Sequence, residues 1–225
     1  IVSRTGVDAD KIVTVPNTVS RNFGRVEDAL FDEVLQKRYA NNFALLYIGD
    51  TGARRGLETA IRGLVQLKDT IPQIKLVIVG NSTYDSSLIK LAKELKVNDL
   101  VDFEGWQNEV VFPSYIKISN LCISPLHSNL HHDTTYANKI FQYMSLGKPI
   151  VVSAVTAQKN IVEKHQVGLT HEPENISEFS AQVLRLFTHK VEARQYGMNG
   201  KTFVNDHFYW EKTSENLIAL YRNLC

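Results

Sequence analysis

The sequence is poor in the features that mark several large classes of protein. It has two cysteines, Cys122 and Cys225, in 225 residues. These are too few for a disulfide framework, so we expect a reducing, cytoplasmic setting. No apolar run approaches the length of a membrane span, and the chain shows no signal peptide. Its 25 basic and 24 acidic residues nearly cancel, so the sequence lacks the basic excess that nucleic-acid binding requires.

Two glycine patterns of nucleotide-binding proteins are also missing. Neither the P-loop pattern G-x-x-x-x-G-K-[ST] nor the dinucleotide pattern G-x-G-x-x-G occurs. A nicotinamide oxidoreductase is therefore the least favoured hypothesis. His131 and His132 are adjacent and cannot readily face one ion, and no second ligand pair follows at zinc spacing. No metal site is predicted.

From residue 43 onward the sequence alternates regularly between apolar runs and amphipathic stretches. Such alternation predicts an α/β fold: a doubly wound, Rossmann-like parallel sheet of about six strands with helices on both faces. The strands are expected at Phe43–Ile48, Ile74–Val79, Leu100–Phe103, Leu121–Ser124, Ile150–Ser153 and Val167–Thr170. The helices are expected at Leu57–Leu67, Ser87–Leu95, Asn138–Leu146, Asn160–Lys164, Ile176–Phe187 and Glu211–Leu224.

Residues 1–42 follow a less regular pattern. They contain one short strand candidate, Lys11–Val15, and a helical stretch that includes Ala29, Leu30, Val34 and Leu35. We expect residues 1–42 to be an interdomain segment and residues 43–225 to form the ligand-binding domain. Because the chain begins at Ile1 rather than Met, it is expected to be a fragment of a longer protein.

The most informative stretch is the turn from the first strand into the first helix, LYIGDTGARRG. Gly49, Gly52 and Gly56 punctuate this turn, and Arg54 and Arg55 lie within it. A strand, a glycine-bearing loop and a helix start direct backbone N–H groups at an anion, and arginine holds phosphate through a rigid fork of donors. The turn therefore predicts a phosphate-binding loop. An ordinary turn with two solvated arginines is the plain alternative.

Other loops at expected strand ends also carry suitable groups. Gly80 and Asn81 allow close approach of the backbone to a ligand, and Gly105 and Trp106 offer an aromatic plane to a base or a sugar. Residues 125–142 form a polar entry into a helix, with Asp133, Thr134 and Thr135 as candidate N-caps. Its histidines could hydrogen-bond a sugar hydroxyl, and polar loop filling is the competing interpretation.

These motifs, taken in order, resemble the carboxyl-terminal domain of a family 4 glycosyltransferase with the GT-B fold. The similarity runs from about Lys11 to Tyr221. GDTGARRGL resembles the family's G-R-x(n)-K-G loop, and KIFQYMSLGKPIV resembles its K-L-F-E-Y-M-A-x-G-K-P-V-V segment, the most specific match. KIVTVPNTV, LVIVGN, VDFEGW and FYWEKT resemble further segments of the family.

The resemblance implies retaining transfer of a hexose-type sugar from a UDP-, GDP- or ADP-sugar to a glycan or lipid-linked acceptor. The acceptor would bind an amino-terminal domain that this chain lacks, so the chain alone is expected to be inactive. No metal or other cofactor and no nucleic-acid partner are implied. The longer protein is expected to be cytoplasmic, with peripheral contact at the inner face of the membrane.

The resemblance also assigns roles by position. Arg55 takes the place of the K-G lysine on the donor diphosphate, and Arg54 would supply a second cation because Asp50 replaces the family's first arginine. Thr134 and Gln142 take the places of the two carboxylates that meet the donor sugar and the ribose. Further ligand-binding positions are Thr135, Tyr136 and Ala137 through their backbone N–H groups, Lys139 at the lysine of the second segment, and Asp133 beside the first carboxylate position.

Both carboxylate positions are neutral here, and this departure keeps other functions open. One is a non-catalytic nucleotide- or carbohydrate-binding module. Another is a nucleotide-sugar epimerase, or a phosphorylase that would need a Schiff-base lysine such as Lys139 or Lys148 with pyridoxal phosphate.

Overall fold

A computed structural model gives the fold, and it describes residues 6–8, 11–24 and 33–222. Six parallel strands form one sheet in the order β3-β2-β1-β4-β5-β6. The strands are β1 (Phe43–Ile48), β2 (Ile74–Val79), β3 (Val101–Gly105), β4 (Leu121–Ser124), β5 (Ile150–Ser153) and β6 (Gly168–His171). The predicted doubly wound α/β fold is confirmed, with each strand within two residues of its predicted ends.

Helices cover both faces of this sheet. In chain order they are α1 (Glu33–Tyr39), α2 (Leu57–Leu67), α3 (Asp85–Glu94), α4 (Phe112–Ile118), α5 (Leu130–Thr134), α6 (Asn138–Ser145), α7 (Thr156–His165), α8 (Ile176–Thr188), α9 (Lys190–His207), α10 (Trp210–Thr213) and α11 (Glu215–Arg222). Alternate residues of the strands enter two apolar cores, one on each face. The four central strands, β1, β2, β4 and β5, are buried on both sides, which is why they read as continuous apolar runs.

Some sequence-based expectations are wrong. Lys11–Val15 forms no strand, since the segment joins none of the five strand pairings and Pro16 follows it. The single helix expected at Glu211–Leu224 is divided at Ser214 into α10 and α11. Ala29, Leu30, Leu224 and Cys225 lie outside the described residues. Cys122 is buried in β4 as a free thiol.

Three helices that the sequence did not predict are α4, α5 and α9. The longest, α9, contains Gly197 and Gly200, which lower helix propensity and hide its pattern. A Cβ at Gly197 would lie 2.1 Å from the carbonyl oxygen of Gly147, and one at Gly200 would lie 2.9 Å from Met144 Cγ. Both glycines therefore let α9 pack closely on the α6 side of the sheet.

The segment before β1 packs on the same core as the sheet. Leu35 and Tyr39 of α1 are buried in the core that also holds Leu46. Val19 O accepts a hydrogen bond from Trp210 N at 2.8 Å, so the segment before α1 is tied to α10. No helix in the described part of the chain is long and apolar enough to cross a membrane.

Candidate functional site

The two loops predicted to bind a ligand meet at the carboxyl ends of the two central strands, β1 and β4. β1 and β4 are neighbours, while β2 lies beyond β1 and β5 lies beyond β4, so the loops that leave β1 and β4 diverge around a crevice. Doubly wound sheets bind ligands at this position. A cleft of about 340 Å³ lies there, lined by Ile48, Gly49, Asp50, Arg55, Phe112, Leu126, His131, His132, Thr135, Tyr136, Ala137, Asn138, Lys139 and Gln142.

Glycines allow the loops to approach this closely. Gly56 has a φ of 70°, and a Cβ there would lie 1.9 Å from the carbonyl oxygen of Pro125 in the opposite loop. Two residues earlier in the turn, Arg54 O accepts a hydrogen bond of 3.1 Å from His127 N. The loop after β1 and the loop after β4 are therefore held together by backbone atoms, and a side chain at Gly56 would push them apart.

Arg55 is the principal cation of the cleft. Its Nε donates to Asp50 Oδ2 at 2.9 Å, while its terminal nitrogens make no hydrogen bond within the described part of the chain. Partial burial raises the pKa of Asp50, but the hydrogen bonds from Arg55 and from Gly52 N outweigh that effect and the pKa is lowered overall. Asp50 thus stays ionised and orients the guanidinium, leaving its outer donors for a ligand.

The opposite wall is the entry into α6. Ala137 precedes α6 in an extended conformation, and no side chain caps the first turn. Uncapped N–H groups at a helix start carry a partial positive charge. Thr135, Tyr136 and Ala137 line the cleft just before this start, across from Arg55. The cleft therefore places amide donors and a guanidinium around the same space.

Lys139 adds a buried amine to this wall. Its Nζ lies 3.6 Å from the centre of the Tyr47 ring and 3.0 Å from where a Cβ on Gly49 would stand. Within the described residues, Nζ is buried without a hydrogen-bond partner. Burial lowers the pKa of Lys139 well below its usual value, and the charge of Arg55 lowers it further while Asp50 opposes.

Unpartnered polar atoms concentrate in this cleft. Such atoms are uncommon in folded proteins and call for an explanation. Of the six buried side-chain atoms that lack a partner in the described part of the chain, three belong to residues of the cleft wall: His132 Nε2, Asn138 Oδ1 and Lys139 Nζ. A ligand with both acceptors and hydroxyl donors would satisfy them.

Comparison with known sequences identifies the family. The sequence model of the family described as Glycosyl transferases group 1 matches residues 32–203, which is more than half of the chain. The chain belongs to the group 1 glycosyl transferases.

Curated relatives in this family are distant. An uncharacterized glycosyltransferase of Methanocaldococcus jannaschii is 24% identical over 201 residues, covering 89% of this chain and 50% of that protein. A GDP-mannose-dependent alpha-(1-6)-phosphatidylinositol monomannoside mannosyltransferase of Mycobacterium tuberculosis is 22% identical over 171 residues, covering 75% of this chain and 44% of that protein. The chain spans about half the length of the curated relatives that it matches.

Solved structures share the fold. Anabaena HepE in complex with UDP has a TM-score of 0.83 at 17% identity, covering 98% of this chain and 60% of that chain. Sucrose-phosphate synthase from Thermosynechococcus elongatus has a TM-score of 0.73 at 25% identity, covering 88% of this chain and 49% of that chain. These similarities support the GT-B fold predicted from the sequence. The comparisons lend no support to the epimerase alternative.

Within this group 1 glycosyl transferase chain, several predicted site residues do come together. Seven of them line the cleft: Gly49, Arg55, Thr135, Tyr136, Ala137, Lys139 and Gln142. Gly56 stands behind the cleft wall as the contact between the two loops. Gly80 supports Gly49, since a Cβ on Gly80 would lie 2.0 Å from Gly49 O.

The other predicted site residues are not among those that line the cleft. Arg54 is exposed, and Gly52 N donates to Asp50 Oδ1 at 3.1 Å. Thr134 Oγ1 donates within α5 to Leu130 O at 2.7 Å. Asp133 Oδ1 accepts from Thr156 N at 2.9 Å and so caps α7. Asn81 follows β2, Gly105 is the last residue of β3 and Trp106 comes directly after it; Trp106 is 70% exposed.

Two cleft residues were not singled out from the sequence. Asn138 follows the predicted amide donors directly, but as the first residue of a predicted helix it gave no separate signal. His132 is one of three histidines in its loop, and nothing in the sequence set it apart from the other two. Only the fold shows that His132 is buried, at 2% exposure. Within the described residues no group of three or more histidine, cysteine, aspartate or glutamate side chains could hold a metal ion.

Proposed function

We propose that this chain is the donor-binding half of a retaining family 4 glycosyltransferase, which transfers a hexose-type sugar from a nucleotide-diphosphate sugar to a glycan or lipid-linked acceptor. The observation that carries this proposal is the single cleft shared by Arg55 and the uncapped start of α6. Group 1 membership supports the transfer chemistry. The acceptor would bind a further domain of a longer protein that works at the inner face of the membrane.

The chemical problem in such a transfer is the departing diphosphate, which gains negative charge as the bond to the sugar breaks. A preorganised donor aimed at developing charge contributes roughly 3–4 kcal/mol in enzyme sites. Here the Arg55 guanidinium and the amides of Tyr136 and Ala137 would supply these donors from opposite walls of the cleft. We propose that they stabilise the leaving group without a metal ion, and Lys139 would add a further hydrogen-bond donor from the cleft wall.

The nucleoside would extend into a second groove. A groove of about 450 Å³ adjoins the cleft, because Asn138 and Gln142 line both. Its remaining walls include Phe23, Val110 and Pro113, which suit the apolar face of a base. Gln142 at the junction can donate to and accept from ribose hydroxyls. The UDP complex of Anabaena HepE supports a nucleotide donor.

The proposal is tested by calorimetric titration of Arg55→Ala. Loss of a charge-assisted pair costs about 1.5–3 kcal/mol, so we expect Arg55→Ala to weaken binding of UDP, GDP or ADP about 10- to 100-fold. Binding of the corresponding free nucleoside should change little. Arg62→Ala, on the exposed face of α2, is the matched control. Equal losses for diphosphate and nucleoside would refute the assignment of Arg55.

A second candidate function is a binding module without catalysis. The neutral side chains at Thr134 and Gln142 favour it, as does the commitment of Asp133 to capping α7. Introducing glutamate at both positions, Thr134→Glu and Gln142→Glu, in the longer protein separates the two functions. Donor hydrolysis that appears only in the double variant would support a module, whereas hydrolysis already present in the natural sequence would support an enzyme.

A further inference from the structure

His132 is a buried side chain in the cleft wall whose role the family assignment does not explain. It belongs to α5, in the loop after β4, and only 2% of its surface is exposed. Arg55 and Arg54 are close enough for their charges to act on it. Its Nε2 is buried without a partner in the described residues, so the ring carries an unused polar atom beside the predicted diphosphate site.

The hydrogen bonds of the ring decide what Nε2 can do. Nδ1 lies 2.7 Å from the carbonyl oxygen of His127, and a carbonyl oxygen only accepts, so Nδ1 carries the proton and donates it. The Asn129 side chain accepts the backbone N–H of His132 on its Oδ1 at 2.9 Å. Its Nδ2 lies 2.9 Å from Nδ1 but does not donate to it, because Nδ1 gives its proton to His127 O, and Nδ2 donates instead to the same carbonyl oxygen at 3.4 Å. This leaves Nε2 as an acceptor in the neutral ring.

The ring is kept neutral by its surroundings. Burial lowers the pKa of His132, the hydrogen bond to His127 O opposes this, and the charges of Arg55, His131 and Arg54 lower it further. A neutral Nε2 needs a hydrogen-bond donor. Ionised phosphate oxygens have none to give, whereas a sugar hydroxyl does.

We infer that His132 is a specificity-determining residue whose Nε2 accepts a hydrogen bond from one hydroxyl of the sugar carried by the donor nucleotide. This inference rests on the proposed function and deepens it. We assign the hydroxyl to the transferred sugar rather than to the ribose because Gln142, the residue proposed to bind the ribose, lies on α6 at the junction with the nucleoside groove. His132 stands on α5, close enough to Arg55 for the charge of that residue to act on it, so the sugar attached to the diphosphate is the part of the donor expected beside it.

His132→Asn and His132→Gln distinguish the two nitrogen atoms of the ring. The amide of asparagine can replace Nδ1 as the donor to His127 O but has nothing at the position of Nε2, whereas the longer glutamine offers an acceptor near Nε2. His207→Asn, an exposed histidine outside the cleft, is the matched control. The probes are UDP-glucose, GDP-mannose and ADP-glucose, each compared with its own nucleoside diphosphate by calorimetry.

His132→Asn would leave the sugar hydroxyl buried without its acceptor. For the preferred donor, His132→Asn should therefore reduce the affinity gained from the sugar about tenfold, and His132→Gln should restore part of it. Sugar nucleotides in which one hydroxyl of the transferred sugar is replaced by fluorine identify the hydroxyl involved. Replacement at one position of the sugar should weaken binding to the natural chain, and the same replacement should have no effect in His132→Asn. In nitrogen NMR, Nε2 should shift with the sugar nucleotide but not with the nucleoside diphosphate alone.

A structural role would give a different result. The inference would be overturned if His132→Asn lowered the affinity for the sugar nucleotide and for its nucleoside diphosphate equally. It would also be overturned if the extra affinity that the sugar contributes were the same with and without His132. In both cases the proposed function would stand. If none of the nucleoside diphosphates bound, the proposed function and this inference would both fail. A proton found on Nε2 by NMR in the unliganded chain would also overturn the inference.

Discussion

At the scale of single residues, the cleft contains a buried amine whose charged form the fold alone does not stabilise. Lys139 Nζ lies over the Tyr47 ring, an interaction that offsets only part of the cost of burying an ammonium group. Tyr47 is itself fixed by donating to Asp50 O at 2.6 Å. Burial of the charged form of Lys139 costs stability in the free protein, and an anion bound in the cleft would offset that cost.

We therefore predict that Lys139→Met stabilises the unliganded chain by ~1 kcal/mol at pH 7 while weakening binding of nucleoside diphosphate. The pKa of Lys139 is lower in the folded chain than in the unfolded one, so the unfolded state binds more protons between the two values. The stability of the natural chain should rise with pH through that window, up to about 10.4. Urea unfolding of the natural chain and of Lys139→Met at pH 7 and pH 9.5 measures the gain in stability and its dependence on pH, and calorimetry measures the loss of nucleotide binding.

The gain in stability from Lys139→Met should shrink at the higher pH. A gain that is independent of pH would contradict the assignment of the effect to the charge of Lys139. Lys201→Met, an exposed lysine on α9, controls for the change from lysine to methionine itself.

The sequence predicted that the residues before α6, Arg55 and two residues of α6 line the cleft, but it did not predict where the polar side chains of α5 point. Thr135, Tyr136 and Ala137 line the cleft as expected, because a helix start presents N–H groups regardless of side chain. Thr134 and Asp133 are one and two residues away, yet their side-chain oxygens engage Leu130 O and Thr156 N. Competition among hydrogen-bond partners decides which polar side chains of a loop turn inward, and no single sequence shows that competition.

At the scale of elements, the site depends on how closely two loops approach. Gly56 provides the contact, with a positive φ and no room for a Cβ against Pro125 O. Gly105 has a similar φ of 65°, but a Cβ there would meet open space. Both positions have a positive φ, which would strain any residue that has a Cβ. Only at Gly56 would the added Cβ also clash with a neighbouring atom.

Gly105→Ala should therefore cost about 1 kcal/mol for a left-handed conformation. Gly56→Ala should cost at least ~3 kcal/mol, because the clash is added to the strain. Denaturant unfolding of both variants measures the difference. Similar costs for Gly56→Ala and Gly105→Ala would show that the two loops do not depend on this close approach.

The attachment of α1 to the edge strand β3 rests on a polar network. Tyr39 Oη donates toward Asp102 Oδ2 at 2.9 Å and Glu104 Oε1 at 3.2 Å. Arg38 pairs with the same two carboxylates. Tyr39 is 3% exposed, and burial, with the hydrogen bond to Asp102, raises the pKa of its hydroxyl, so the hydroxyl stays protonated as the donor.

Tyr39→Phe should lower the free energy of unfolding by about 1–2 kcal/mol, since it removes the hydroxyl proton that Asp102 and Glu104 share. Tyr196→Phe removes a comparable bond to Glu192 at a more exposed position and should cost less than ~0.5 kcal/mol. Thermal or urea unfolding compares them. A cost for Tyr39→Phe no greater than that for Tyr196→Phe would contradict a stabilising role for this network.

At the scale of the whole molecule, the strand and helix pattern was sufficient to predict the sheet. Runs such as Leu121–Ser124 and Ile150–Ser153 are recognisable because strands buried on both faces admit almost no polar residues. α9 escaped prediction because its glycines serve packing against Gly147 and Met144, a requirement set by distant residues. The cleft followed from topology, since the reversal of strand order between β1 and β4 fixes its position.

The chain contains one wall of the crevice that the proposed transferase would need. We predict that the chain by itself binds nucleoside diphosphate but transfers no sugar to added glycan or lipid acceptors, because acceptor groups would come from another domain. Product analysis with a radiolabelled donor checks this. Sustained turnover by residues 1–225 would contradict it.

The central claim is that one diphosphate bridges Arg55 and the amides at the start of α6. A crystal structure of the chain with UDP, GDP or ADP, whichever binds most tightly, tests this most directly. We predict phosphate oxygens within hydrogen-bond distance of both Arg55 and the backbone nitrogens of Tyr136 or Ala137. A nucleotide seated elsewhere, for instance in the groove lined by Lys148, Lys190 and Arg194 near the amino ends of the strands, would contradict the account.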